Sequence, residues 1–311
     1  MIASQTSPLR GIALKVAAIT IFTAMMSLIK ATSDSVPPGE AVFFRAVFSL
    51  PVLFVWLTWR GELATGLRTG RPLGHVLRGV MGSMAMGLRF FALGVLNFSE
   101  VTAIGFASPL LLVVFAALFL GERVRAFRIM TVLIGLIGVL IVLWPRLDFD
   151  QVAGGLETMA ALAMLVSAST AALAQVFVRK LVATETTAAI VFYFALTTAG
   201  LSLLTAPFSW VMPTWDVAAL LVMAGLLGGI GQICLTTCYR HADASVVAPF
   251  DYLAMLLALW IGYFAFDETP TGTMLVGAGI VILAGVLIIW REHVLGLRRR
   301  ASRAVSNPTQ T

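Results

Sequence analysis

The feature that most constrains the fold is a series of apolar runs, each about 20 residues long, the length at which an α-helix crosses the hydrocarbon of a bilayer. Of the 311 residues, 59% are hydrophobic and only 12% are charged, whereas about a quarter of an average soluble domain is charged. Because peptide groups inside a bilayer must find partners within the chain, runs of this length predict helices, and a barrel would show shorter alternating segments. The sequence therefore predicts an all-α polytopic membrane protein.

Ten transmembrane helices are predicted from these runs and from the helix breakers and polar residues that separate them. They are placed at residues 9–30, 38–59, 75–95, 98–120, 126–144, 155–178, 186–207, 215–238, 243–265 and 270–290. The first run has no small-residue cleavage site after it, so we expect a retained span rather than a signal peptide.

The basic residues of the loops predict the orientation, because lysine and arginine favour cytoplasmic loops. With a cytoplasmic N-terminus, the loop arginines from Arg60 to Arg78 and the basic tail after Arg291 face inward, and little more than Lys30 and Arg146 faces outward. Both termini are therefore predicted in the cytoplasm, with the chain crossing the cell inner (cytoplasmic) membrane many times.

A weak internal repeat appears when the chain is shifted by 146 residues, which aligns residues 79–144 with 225–290 without a gap. Glu122 and Glu268 then fall in corresponding breaks, although chance matching among Leu, Val and Gly is the alternative. Five spans in each half is an odd number, so the second half would be inverted, as in many secondary transporters. The predicted units are residues 1–150 (helices 1–5), residues 151–295 (helices 6–10) and a basic cytoplasmic tail, 296–311.

Several motifs resemble the EamA-type unit of the drug/metabolite transporter superfamily. They are LNFSEVTAIGFASP at residues 96–109, Leu120-Gly121-Glu122-Arg123, Phe44-Arg45 and Leu77-Arg78-Gly79. The resemblance covers nearly the whole chain, with each unit one EamA-like repeat. The second half departs from the pattern at Asp267-Glu268-Thr269, which replaces Gly121-Glu122-Arg123.

This resemblance implies a ten-helix secondary transporter that moves a small metabolite by alternating access, through proton- or gradient-coupled or facilitated transport. The overall pattern is most similar to that of bacterial riboflavin transporters, so riboflavin uptake is the specific expectation. Export of amino acids or related metabolites is the alternative.

Among the ionisable residues inside predicted spans, where desolvation needs a partner or water, three stand out. They are Arg45, Arg89 and Asp251. One interpretation is that the arginines snorkel outward or pair with Glu40 or Glu100. The other is that all three line a polar cavity and bind an anionic or multiply hydrogen-bonding substrate.

Aromatic residues accompany these charges and could stack against a flat heteroaromatic substrate. Phe106 and Tyr252 are the preferred pair, because the repeat aligns them and Asp251 adjoins the second. Simple packing or lipid contact is the alternative for each ring.

Two prolines, Pro109 and Pro249, lie in corresponding spans, and each removes a backbone hydrogen bond from its helix. Interrupted helices in equivalent positions mark the binding sites of transporters. The two prolines are predicted as hinges, with packing kinks as the alternative.

Other functional classes have little support. The basic residues lie in loops and the tail, so no nucleic-acid partner is expected; the scattered His75, His241 and His293 predict no metal site, and no phosphate-binding loop is present. A membrane enzyme would have to use Glu100 with Asn97 and Ser99, which lack a nearby histidine or second acid. The expected partners are a small-molecule substrate and the lipid bilayer, with no cofactor; oligomeric state stays open, a homodimer included.

Overall fold

The computed structural model describes residues 8–63, 65–120, 126–147, 155–242 and 244–306. Within these ranges the chain is helical and contains no strand. The helices are α1 (Pro8–Thr32), α2 (Pro38–Val47), α3 (Ser49–Arg60), α4 (Pro72–Leu93), α5 (Phe98–Gly105), α6 (Ala107–Leu120), α7 (Ala126–Leu143), α8 (Leu156–Val182), α9 (Thr187–Leu203), α10 (Ala206–Ser209), α11 (Trp215–His241), α12 (Ala244–Val247), α13 (Leu253–Phe266) and α14 (Gly272–Ser306), with 3₁₀ turns at Trp144–Arg146 and Ala248–Tyr252.

The helices agree with the predicted all-α membrane class. Seven helical segments of the described chain are long and apolar enough to cross a membrane, and three more apolar segments are shorter, at Thr187–Leu203, Phe250–Phe266 and Gly272–Ile288. Every predicted span overlaps one of these segments. The polytopic helical class is confirmed, while the count of ten spans and the repeat stay predictions.

The distribution of polarity is that of a membrane protein, with apolar side chains outside and polar side chains inside. Trp59, Leu118 and Trp260 are exposed on the outer surface, whereas Lys15, Glu40 and other charged residues are less than one-tenth exposed. Lipid solvates the apolar exterior, and the interior holds the groups that need polar partners.

Helix packing follows a regular scheme. Helix α1 packs along α11 and α4 along α8, while α7 packs on α14, α2 on α9 and α5 on α13. Glycines allow some of these close contacts: a Cβ at Gly79 would stand 2.6 Å from Thr197, and one at Gly225 would stand 2.5 Å from the Cβ of Phe48. These glycines therefore serve helix packing, as expected of small residues between membrane helices.

Three of the apolar segments are interrupted, each close to a proline. The break between α5 and α6 falls at Phe106, three residues before Pro109, because a proline ring clashes with the carbonyl four residues earlier. Pro249 lies in the 3₁₀ turn that precedes α13. A third break, at Phe48, lies three residues before Pro51 and was not predicted, although the spacing to its proline is the same as at Pro109.

The family-like motif at residues 121–123, including Glu122, lies outside the described residues. The repeat partner of Glu268 therefore has no structural account.

Candidate functional site

A cavity of about 690 Å³ lies between the two halves of the chain. Its walls come from α1, α4, α5, α6, α8, α11, the turn at Ala248–Tyr252 and α14. At one end it reaches Phe98, and at the other it extends to Val182 and Ala242, where α8 and α11 end. The size is typical of small-molecule sites, which measure roughly 300–1,000 Å³.

Arg89, one of the predicted substrate-binding residues, lines this cavity from α4. Its Nη2 atom lies 2.6 Å from where a Cβ on Gly105 would stand. Gly105 is the last residue of α5, so the guanidinium lies beside a helix C-terminus, where the helix dipole stabilises a cation. The helix break thus creates both the room and the electrostatic environment for Arg89.

Phe106 and Tyr252, the predicted aromatic pair, are neighbours in the cavity wall. Their ring centroids are 5.3 Å apart and their planes are inclined by 31°. The Tyr252 hydroxyl lies directly against the backbone of Gly285 in α14, in space that any Cβ would occupy. The two rings come from the two interrupted segments, so both breaks shape the same wall.

Asp251 also lines the cavity and forms an ion pair with Lys15 of α1, with Oδ1 2.7 Å from Nζ. The Lys15 side chain is 4% exposed and the Asp251 side chain 39%, so the carboxylate remains accessible from the cavity. Lys15 Nζ also lies 5.5 Å from the centre of the Tyr239 ring.

Lys15 was missed by the sequence analysis. It lies inside the first predicted span, so the rule that singled out Arg45 applied to it equally.

The Phe98 end of the cavity is closed by a polar cluster. Lys30 Nζ lies 2.8 Å from Glu268 Oε1 and donates to the carbonyl of Leu96 at 2.9 Å. The Phe98 amide donates to Glu268 Oε2 at 2.7 Å, and the Phe98 and Phe266 rings stack with centroids 6.1 Å apart. This closing cluster joins α1, α5 and the segment before α14.

Arg45 does not line this cavity. It is buried in α2 at 4% exposure, with its Cζ 5.3 Å from the centre of the Phe194 ring in α9. Arg78 lies against the same ring, with its Cζ at 3.6 Å, and is 5% exposed. Arg78 was counted among the loop arginines, but α4 begins at Pro72 and Arg78 lies buried within that helix.

The glutamates proposed as partners of the arginines have other contacts. Glu40 Oε2 accepts from the amide of Val211 at 3.1 Å, and Glu100 pairs with Arg146 at 3.0 Å. Glu100 also forms a capping box with Asn97 at the start of α5, which gives the candidate residues of a membrane enzyme a structural role.

His75, the first residue of the third predicted span, lies buried in α4. Its Nε2 is 3.5 Å from Glu185 Oε2, and its ring lies 4.8 Å from that of Tyr193. Glu185 also accepts from the Gly70 amide at 3.1 Å. Within the described part of the chain, no group of three or more His, Cys, Asp or Glu residues could hold a metal ion.

Comparison with known proteins adds the family to this geometry. The model of the EamA-like transporter family matches residues 9–144 and again residues 158–290. The chain belongs to the EamA-like transporter family. Its members are transporters, so a small-molecule substrate and embedding in a membrane follow for this chain.

Relatives of this EamA protein bear different names. It is 30% identical to the S-adenosylmethionine uptake transporter of Rickettsia bellii, over 90% of this chain and 96% of the relative. It is 30% identical to the pseudopaline exporter CntI of Pseudomonas aeruginosa, over 89% and 95%. It is 31% identical to the riboflavin transporter of Rhizobium johnstonii, over 82% of each chain. These similarities support transport in general and do not single out one substrate.

A solved crystal structure has the same fold. It superposes with a TM-score of 0.65 at 21% identity, covering 92% of this chain and 99% of the other. At that identity the likeness concerns the fold alone.

Proposed function

We propose that this chain is a secondary transporter of the inner membrane that carries a zwitterionic metabolite with a flat aromatic group, with S-adenosylmethionine as the first candidate. The observation that carries this proposal is the arrangement of the cavity: Arg89 and Asp251 lie on its wall together with the Phe106–Tyr252 pair.

The chemistry of the wall fits such a substrate. A guanidinium recognises a carboxylate through paired hydrogen bonds, and Asp251, 39% exposed, can accept from an ammonium group or attract a sulfonium. The two rings can stack against a purine. S-Adenosylmethionine carries all three groups in a single molecule, and relatives of this chain bear its name.

The architecture we propose is ten transmembrane helices in two inverted repeats, residues 1–150 and 151–295, followed by the tail 296–311. The packing scheme supports it. In two equivalent repeats, α1 corresponds to α8 and α4 corresponds to α11, so the contact of α1 with α11 should have a counterpart between α8 and α4, and it does. In the three remaining contacts, α7–α14, α2–α9 and α5–α13, each helix packs against its own counterpart in the other repeat. The two family matches, one in each half, also support it.

The proposed transport cycle is alternating access, and the described conformation corresponds to its inward-facing state. The charge distribution of the loops favours cytoplasmic termini, which makes the Val182 and Ala242 end of the cavity cytoplasmic. The closing cluster of Lys30, Glu268, Phe98 and Phe266 then lies at the outer side. Pro109 and Pro249 are proposed as hinges because both interrupt helices that carry a ring of the aromatic pair.

Riboflavin is the second candidate substrate. The Phe106–Tyr252 pair suits its flat ring system equally well, and relatives named riboflavin transporters are similar over most of the chain. Riboflavin has no carboxylate for Arg89, so competition experiments separate the two candidates. The direction of transport is part of the same question, since the relative from P. aeruginosa is an exporter.

The test is binding of radiolabelled S-adenosylmethionine to the purified protein, followed by uptake into proteoliposomes. We expect saturable binding that unlabelled S-adenosylmethionine displaces and riboflavin does not. Arg89→Gln and Asp251→Asn should each weaken binding at least tenfold, while Arg60→Gln, which alters an exposed ion pair with Glu62, should not. Binding of riboflavin instead, unaffected by Arg89→Gln, would overturn the zwitterion proposal.

A further inference from the structure

Arg45 and Arg78 form a pair of buried charges in the described part of the chain. The two residues come from α2 and α4, and each is about one-twentieth exposed. Both guanidiniums lie against one ring, that of Phe194 in α9. Two cations therefore share a small volume inside a membrane protein, where charge is costly unless it is neutralised.

Neither arginine has a carboxylate partner among the described residues. Glu40, considered as a partner in the sequence analysis, accepts from the Val211 amide, while Glu185 lies against His75 and accepts from the Gly70 amide. Nε of Arg45 and both Nε and Nη1 of Arg78 are buried and make no hydrogen bond to any described residue. Buried polar nitrogens nearly always have a partner, and a buried charge needs one still more.

The Phe194 ring compensates only in part. A cation over an aromatic face is attracted by the ring quadrupole, but that attraction neither neutralises the charge nor accepts the unpaired N–H groups. The residue of α11 that faces Arg45 has no acidic side chain. It is Gly228, where a Cβ would stand 2.9 Å from Nε of Arg45.

We propose that Arg45 and Arg78 bind a compact monovalent anion, chloride in the first instance, at the junction of α2, α4, α9 and α11. The anion accepts the free N–H groups of the two guanidiniums and removes their mutual repulsion. It joins helices from both proposed repeats, since α2 and α4 precede residue 150 and α9 and α11 follow it. The site is thus a structural one that the fold requires, separate from the substrate cavity.

A metabolite does not suit this site. Arg45, Arg78 and Phe194 are absent from the wall of the 690 Å³ cavity, and all three side chains are almost fully enclosed. The inference does not depend on which substrate the cavity carries.

The experiment measures chloride binding by the full-length protein in detergent. Protein equilibrated with ³⁶Cl⁻ is separated from free ion by rapid gel filtration, and its melting temperature is followed by tryptophan fluorescence during a chloride titration. Gluconate, an anion too large for the site, keeps the ionic strength constant, and bromide serves as a second small anion. We expect one chloride per chain and a melting temperature that rises by about 2 °C for each tenfold increase in chloride above the dissociation constant.

Variants locate the ion. Arg78→Met and Arg45→Met replace a cation by a flexible apolar side chain, and each should abolish ³⁶Cl⁻ retention and the chloride dependence of melting. Arg60→Met, at an exposed arginine, should leave both unchanged. Wild-type protein that retains no chloride and melts equally in chloride and gluconate overturns the proposal, even where the arginine variants fail to fold. Undiminished chloride dependence in folded Arg78→Met also overturns it, because the ion would then bind elsewhere.

Discussion

Lys30 and Glu268 form an ion pair of 2.8 Å that joins the end of α1 to the segment before α14. Both side chains are largely buried, at 15% and 10% exposure. Glu268 also accepts a hydrogen bond from the Phe98 amide. One carboxylate therefore links α1, the start of α5 and the segment before α14 at the closed end of the cavity.

Loss of this pair should favour opening at that end. Glu268→Gln removes the negative charge of the pair. With Thr102 in the cavity wall replaced by a reporter cysteine, we expect a membrane-impermeant thiol reagent added outside to react severalfold faster than in the protein that retains Glu268. The assay needs a background in which Cys234 and Cys238 are replaced by alanine. Glu62→Gln, at an exposed pair, is the matched control, and equal rates in the two variants would contradict the gating role.

The contact between Tyr252 and Gly285 allows a test of whether the position of the Tyr252 ring matters for substrate binding. A methyl group at Gly285 would overlap the Tyr252 hydroxyl, so Gly285→Ala should push the ring into the cavity and weaken substrate binding roughly tenfold, about 1.4 kcal/mol. Gly279→Ala in the same helix meets no atom within 4 Å and should leave affinity unchanged. Similar dissociation constants for both variants would show that the position of Tyr252 is unimportant.

Arg89 can be tested in the same indirect way. Gly105→Ala places a Cβ 2.6 Å from Nη2 of Arg89 and 3.2 Å from Cε of Met164, which forces the guanidinium to move. We expect weaker binding of a substrate with a carboxylate and little change for an analogue in which that carboxylate is an amide. Gly87→Ala, in the helix of Arg89, has open space around it and is the control. An equal loss for both ligands would mean that the wall collapsed rather than that Arg89 moved.

The Lys15–Asp251 pair predicts a separation between stability and transport. Asp251→Asn leaves Lys15 buried without its counter-ion, and because Asp251 is partly exposed we expect a destabilisation of about 2 kcal/mol, between the values for surface and buried pairs. Adding Lys15→Met should restore the melting temperature but not transport. Recovery of transport together with stability would limit Asp251 to a structural role.

Glu185 predicts a loss of stability in acid. Burial raises the pKa of its carboxyl, but the Gly70 amide, the Thr69 hydroxyl and His75 outweigh this and leave the pKa below its ordinary value of 4.5. A lowered pKa in the folded state stabilises the protein above about pH 4.5, and the contribution disappears as the pH falls through the folded-state pKa. Melting temperature measured from neutral pH downward should therefore fall less steeply in Glu185→Gln than in the wild type. Glu62→Gln should follow the wild type, and a Glu185→Gln curve that also follows it would contradict the prediction.

Sequence reasoning located several parts of the candidate site. Arg89, Phe106, Asp251 and Tyr252 were selected because charges inside spans need a reason and because the repeat aligned the two rings, and all four line one cavity. Pro109 lines it as well. These residues could be selected from the sequence because charged groups, paired aromatic rings and prolines are unusual inside membrane spans.

The surroundings of Arg45 and Arg78 could not be predicted in this way, although Arg45 itself was selected as a charge inside a span. A charge within a span indicates burial, but its partner depends on how helices rotate against one another, and that rotation brought Arg45 to Phe194 and Arg78 instead of to Arg89. Lys15 likewise gained its importance only through contact with Asp251, which lies more than 200 residues away in the sequence.

The amino-acid sequence by itself determined that this protein is helical and embedded in a bilayer, because hydrophobic run length and backbone hydrogen bonding leave no other solution. Only the tertiary structure decided which charges meet. Side-chain contacts between distant helices follow from packing at particular glycines and from breaks beside particular prolines. These contacts divide the intramembrane charges between a substrate cavity with Arg89 and Asp251 and a separate, enclosed pair of arginines.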